Sequence, residues 1–145
     1  MASFGDTIMK GFRNLHVRVY HSSGGKWGGS INGSPLLLLT VVGHKSGKVY
    51  TIPLAYVRDG SDYLITASAN GADKNPIWLS NLENMPDAKI EVSGKTLTVK
   101  PTLITGVERD QLYELFKAQG SNFGAYEKKT TRKIPVIRLQ PIAAA

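Results

Sequence analysis

The chain contains no cysteine. Disulfides, thiolate metal sites and a cysteine nucleophile are therefore excluded, and the composition suits a reducing compartment. Long apolar runs are missing as well. None approaches the roughly 20 residues that span a bilayer, and Asp6, Lys10 and Arg13 interrupt the N-terminus where a signal peptide would carry its apolar stretch. The expectation is a cytoplasmic protein. Histidine is scarce: His16 and His21 fall on different faces of a helix, His44 stands apart, and neither H-x-x-x-H nor H-E-x-x-H occurs. No metal site is expected. There is no G-x-S-x-G elbow and no evident carboxylate pair, which argues against hydrolysis and strong acid–base work. The glycines at Gly24 to Gly29 and at Gly43 to Lys48 lack the G-x-x-x-x-G-K-[ST] spacing of a phosphate-binding loop.

What is present is an ordinary globular composition with an excess of positive charge. The 145 residues carry 41% hydrophobic and 20% charged side chains, with a net charge of +7. That length predicts one domain over residues 1–145 with a real core. The charge favours anionic partners, but the lysines and arginines are dispersed, so no nucleic acid is expected.

Phe4, Ile8, Phe12, Leu15 and Val19 recur at helical spacing among Lys10, Arg13 and Arg18, predicting a basic amphipathic helix from Phe4 to Tyr20. Such a helix either docks on the domain's own core or lies on an anionic membrane. Asn32-Gly33 reads as a turn. Leu36 to Val42 predicts a strand covered on both faces, and Tyr50 to Val57 a second strand in which Pro53 marks an edge, a bulge or a ligand's approach. Between them lies a basic turn, Gly43-His44-Lys45-Ser46-Gly47-Lys48, which is either a plain solvated hairpin turn or a seat for an anion. Arg58 to Ser61 is a turn and Asp62 to Ser68 a third strand. Lys74 to Met85 predicts a helix, with Asp73 or Asn75 as cap and Pro76 in its first turn. Ala88 to Val92 and Thr96 to Leu103 make a hairpin, Thr105 to Gln119 a helix, Ser121 to Lys133 a polar loop, and Ile134 to Leu139 the last strand. The fold class expected is mostly β with helices (α+β). It is a small barrel of about six mainly antiparallel strands, with an N-terminal helix and two further helices around it.

Basic turn groups (Lys45, Lys48, Lys74), rings (Tyr50, Tyr56, Trp78, Phe123, Tyr126) and hydroxyls (Ser46, Thr51, Ser68) suit a flat cofactor with an anionic tail that carries the chemistry itself. Three motifs stand in order: Gly43-His44-Lys45-Ser46-Gly47, then Asn75-Pro76-Ile77-Trp78-Leu79-Ser80-Asn81-Leu82, then Thr130-Thr131-Arg132-Lys133-Ile134-Pro135-Val136. In that order they resemble the deazaflavin-dependent nitroreductase family of actinobacteria, split-β-barrel reductases that use coenzyme F420. The resemblance covers Leu36 to Leu139.

The resemblance implies hydride transfer from the reduced coenzyme to a quinone, enone or nitroaromatic. It places the coenzyme's phosphate and tail against His44, Lys45, Ser46 and Lys48. Tyr50, Thr51, Pro53 and Ala55 would run along the coenzyme, Thr66, Ala67, Ser68 and Ala69 would flank its ring, and Ile77, Trp78 and Asn81 would line the opposite side. Substrate would lie near Ala55, Ser68, Gly120, Phe123 and Tyr126, with Ser68 or Tyr126 hydrogen-bonding the developing charge. The family often has Arg at the positions of His44 and Tyr50, so their replacement here weakens the expected hold on the tail. Some nitro-activating members have Tyr at the positions of Ala55, Gly120 and Phe123, and the loss of those rings argues against a bulky nitroimidazole substrate. FMN on the same barrel, or a non-catalytic carrier of a cofactor or lipid, are the alternatives.

Overall fold

Seven apolar or hydroxyl residues in a row, Leu36 to Val42, need cover on two sides. The computed structural model describes residues 15, 17–25, 30–31, 34–68, 71–72, 74–119 and 122–142, and it provides that cover. Strand β2 (Ser34–Val42) sends Leu37, Leu39 and Val41 into the main core and Leu36 and Leu38 to the opposite face beneath Tyr20. The alternation is the period of two of a pleated strand. Burying each such leucine contributes roughly 2 kcal/mol.

Around β2 the other strands are β1 (Ser30–Ile31), β3 (Val49–Ala55), β4 (Val57–Asp59), β5 (Asp62–Thr66), β6 (Ala88–Val92), β7 (Lys95–Ile104) and β8 (Val136–Pro141). They form an 8-stranded sheet in the order β1-β2-β6-β7-β8-β5-β4, with β3, off this path, also paired to β2. Every pairing is antiparallel, as the hairpin-rich sequence predicts. The helices are α1 (Ile77–Glu83), α2 (Gly106–Gln119) and α3 (Asn122–Lys129), after a short helical stretch at 17–22.

Strands β3 and β4 lie at opposite edges of this sheet, yet only Tyr56 separates them in the chain. Two Cα steps span roughly 7 Å, so the edges must adjoin and the sheet must curl. Tyr56 holds the seam: its N–H donates to Pro35 O at 3.1 Å, and Gln119 donates to its carbonyl at 2.8 Å. Pro53 sits on β3, an edge strand opposite Leu38, where no further ladder needs its missing N–H.

The curled sheet encloses the main core, to which β5 contributes Tyr63, Ile65 and Ala67 and β8 contributes Ile137 and Leu139. Their neighbours Leu64 and Val136 face outward, under Tyr113, Phe116 and Phe123 of the helical layer. Tyr20 seals the outer face of β2. Its hydroxyl donates to Leu36 O at 3.0 Å, with Glu91 O at 3.3 Å, and accepts the Ser93 N–H at 3.1 Å.

Several boundaries differ from expectation. The predicted strand Tyr50 to Val57 breaks at Tyr56, where the chain changes edges. The helix expected from Lys74 starts at Ile77, with Pro76 as an N-cap that makes no side-chain cap bond. Asn75 does not cap it, because its side-chain oxygen accepts from Arg132 at 2.8 Å. The segment Ser121 to Lys133 is not a plain polar loop, since α3 forms within it. The docked face of the first helix carries Val17 and Tyr20, while Leu15 and Val19 of the expected stripe are 59% and 39% exposed. The rest of that predicted helix, the Asn32-Gly33 turn, the Asp73 cap, Ala69 and Gly120 lie outside the described residues.

Candidate functional site

The turn that joins β2 to β3 is built by its own backbone. Gly43 N–H donates to Lys48 O at 2.7 Å and Gly47 N–H to Gly43 O at 2.8 Å, with Gly47 at a φ of 73° that suits glycine. Ser46 Oγ accepts the Lys48 N–H at 3.2 Å. The turn is then fastened to α1: the buried Asn81 side chain accepts the His44 N–H at 3.2 Å. This bond fixes a basic turn against a helix that carries a tryptophan.

Between turn and helix lies a cleft of about 640 Å³. Gly43, His44, Lys45 and Ser46 form one wall, Val41, Tyr50 and Ile52 the floor, and Pro76, Ile77, Trp78, Ser80 and Asn81 the other wall. His44, Lys45 and Ser46 are exposed, Trp78 and Tyr50 are half-buried, and Ile77 stands 82% exposed at the rim. One end is thus cationic and hydroxylic, the other apolar and aromatic. Such a site receives a molecule with an anionic end and a flat apolar body.

Of the residues singled out from sequence, His44, Lys45, Ser46, Tyr50, Ile77, Trp78 and Asn81 meet in this cleft. Lys48 is on the same turn but outside the lining. Pleating divides β3: Tyr50, Ile52 and Leu54 pack on the main core, while Ala55 packs on the other two clusters, on the face it shares with Thr51 and Pro53. Thr66 and Ala67 are buried, and both backbone groups of Ala67 are taken. Its N–H donates to Pro135 O at 3.0 Å and its carbonyl accepts from Arg132 at 3.2 Å. Ser68 is half-buried, on the loop leading from β5 to α1.

Phe123, expected near the substrate, stands on α3. Its ring is 7% exposed and packs on Phe116 at 5.2 Å between centroids, as core. Tyr126, one helical turn on, is half-buried and sets its ring edge-on to Phe123 at 5.8 Å. Sequence reasoning missed Val41, Gly43, Pro76 and Ser80 as lining, while Ile52 falls within the segment Tyr50 to Ala55 expected along the coenzyme. It also gave Arg132 no role, although the motif containing it was noticed.

Among the described residues no cluster of His, Asp or Glu could hold a metal ion, and no helix is long and apolar enough to cross a membrane.

A family model described as F420H(2)-dependent quinone reductase matches residues 12–141. An F420H(2)-dependent quinone reductase of Mycobacterium tuberculosis is 36% identical over 129 residues, covering 86% of this chain and 87% of that protein. A putative F420H(2)-dependent quinone reductase of the same organism is 35% identical over 107 residues, covering 74% of this chain and 90% of that protein. Among solved structures, an F420-H2 dependent reductase is 31% identical with a TM-score of 0.67, covering 73% of this chain and 94% of the other.

Proposed function

The chain belongs to the F420H(2)-dependent quinone reductase family and is an F420H2-dependent oxidoreductase, and from that premise we propose that it reduces a quinone at the cleft beside the basic turn. The observation that carries this reading is the bond from His44 N–H to Asn81, which sets Lys45 and Trp78 across one cavity. The donor set fits the coenzyme. Lys45, His44 and Ser46 would take its anionic end by charge-assisted hydrogen bonds, and Trp78, Pro76 and Ile52 would wall its flat body.

Reduced F420 supplies the hydride when bound. The chain's own part is to hold donor and acceptor in contact, exclude water and meet the charge that develops on the acceptor oxygen. Ser68 and the Tyr126 hydroxyl are the groups proposed for that charge, with the proton coming from Tyr126 or solvent. Lys48, Thr51, Pro53, Ala55, Thr66, Ala67 and Ala69 remain proposed neighbours of the coenzyme, and Ala55, Gly120 and Phe123 of the acceptor. For Thr66 and Ala67 burial leaves chiefly a packing role. Nothing in the family or in the relatives above supports FMN in place of F420.

A fluorescence titration with oxidised F420 beside FMN tests the cofactor. Saturable binding of F420 alone is expected. Turnover of F420H2 with a quinone such as menadione, compared with an enone and a nitroaromatic, tests the acceptor. Binding of F420 without turnover of any of them would make the protein a carrier.

We also propose that the N-terminal helix rests on an anionic membrane. Leu15 and Val19 are exposed beside Arg18, on the side away from the docked Val17 and Tyr20. Wild-type protein should pellet with anionic vesicles and Leu15→Asp/Val19→Asp protein should not. Equal pelleting of the two would remove the helix from that role.

A further inference from the structure

Arg132 lies outside the cleft lining, yet its side chain gathers both ends of the loop between β5 and α1. Its Nε–H donates to Ala72 O at 2.7 Å, Nη2 to Ser68 O at 2.7 Å, and Nη1 to Asn75 Oδ1 at 2.8 Å and Ala67 O at 3.2 Å. Its own backbone is fixed in turn, the N–H donating to the buried Thr130 hydroxyl at 3.3 Å. Ser68 O takes a second bond from the Gly71 N–H at 2.8 Å. From the other side α3 presses on the loop. Gly71 has a φ of 78°, and a Cβ there would come within 3.1 Å of Tyr126 Cα and of Lys129 Cβ and Cδ.

Four oxygens from both ends of one loop thus converge on a single cation. Only a planar fork of five donors can serve oxygens so spread; an ammonium is a compact point charge. Drawing carbonyls inward also has an outward effect. A trans peptide puts its N–H opposite its C=O, so turning Ala67 O toward the guanidinium turns the Ser68 N–H away from it. The same grip sets where Ser68 stands and where α1 begins, and hence where Ile77 and Trp78 meet the cleft.

We propose that Arg132 is a positioning residue for the reductase reaction: its guanidinium shapes the β5–α1 loop, and through it Ser68 and the α1 wall, before any ligand arrives. The catalytic part of this rests on the function proposed above; the part concerning the loop does not.

Hydrogen exchange of the ligand-free protein reads the loop directly. In Arg132→Ala, exchange between β5 and α1 should quicken by about tenfold or more while the strands keep their protection. Binding of F420 should weaken, and kcat with a quinone should fall by about a hundredfold, with a smaller change in quinone KM and little change in Tm. Arg132→Lys should recover only a small part. Millimolar guanidinium should restore part of the kcat and loop protection of Arg132→Ala, and urea at the same concentration should not. Wild-type exchange in the loop of Arg132→Ala would overturn the proposal. So would a loss of kcat that merely follows a fall in Tm and that guanidinium leaves unrepaired. If the wild-type protein neither binds nor turns over F420, the function has failed, and exchange with guanidinium rescue alone decides the clamp.

Discussion

Gly43 is needed for the side chain it lacks, since its backbone is one any residue adopts. A methyl there would sit 2.6 Å from Ser46 Oγ and 3.3 Å from the Tyr50 ring. The hydroxyl would swing away and release the Lys48 N–H. Gly43→Ala should therefore cost about 1 kcal/mol in thermal unfolding and weaken F420 binding in the same titration. The two lysines of the turn should separate: Lys45→Ala, in the lining, should weaken F420 binding by about tenfold, and Lys48→Ala by less. If Lys48→Ala weakens it equally, the anionic end extends along the turn beyond the cleft. Much of this was legible in the sequence, because glycines with lysines and a serine between two strands specify both a turn and its charge. Asn75 was misread because a helix cap and a partner for a distant arginine look alike locally. The arginine is 57 residues away, and no local pattern reaches that far.

At the scale of elements, the N-terminal helix is bound chiefly through Tyr20, with Val17 beside it and His21 Nδ1 2.6 Å from Glu91 Oε1. Tyr20 is 1% exposed and bridges Leu36, Glu91 and Ser93. Tyr20→Ala should lower unfolding stability by about 3 kcal/mol, and Tyr20→Phe by about 1 kcal/mol, since the ring still fills its place while two or three bonds are lost. A Tyr20→Ala protein of unchanged stability would mean that this helix adds nothing to the domain. The apolar stripe read at Leu15 and Val19 was real, but the side that docks is another, because Tyr20 reaches its partners with a hydroxyl as well as a ring. Helix α3 was missed for a related reason. Its polar residues hide Phe123 and Tyr126, placed three apart on one face, and its close at Lys128 and Lys129 is a helix-end signal only once the helix is suspected.

For the whole molecule, buried tyrosines set an alkaline limit. Burial pushes the Tyr113 hydroxyl up to about 12 from 10.0. It raises Tyr20 and Tyr56 as well, again with burial as the first cause. A folded chain that keeps these protons longer than the unfolded one has their full contribution below pH 10 and loses it as pH climbs toward 12. Unfolding free energy should fall over that window, by about 2 to 3 kcal/mol for Tyr113 alone, and Tyr113→Phe should flatten part of the slope. An unchanged slope in that variant would place the loss elsewhere. The barrel itself was legible, because hairpin after hairpin without a βαβ unit leaves an antiparallel sheet little choice. The place of its seam was not, because nothing in Tyr56 announces a change of edge. That closure makes the seam a chemical tether rather than an interface. The two edges cannot dilute one another away, and their effective concentration is fixed by one peptide step on either side of Tyr56. Lengthening the tether with a few flexible residues would remove no ladder hydrogen bond, yet it would let the edges part at a cost that grows only with the logarithm of the added length. The seam would then rest on the shared core and on the bonds of Tyr56, and its opening would widen with the length added.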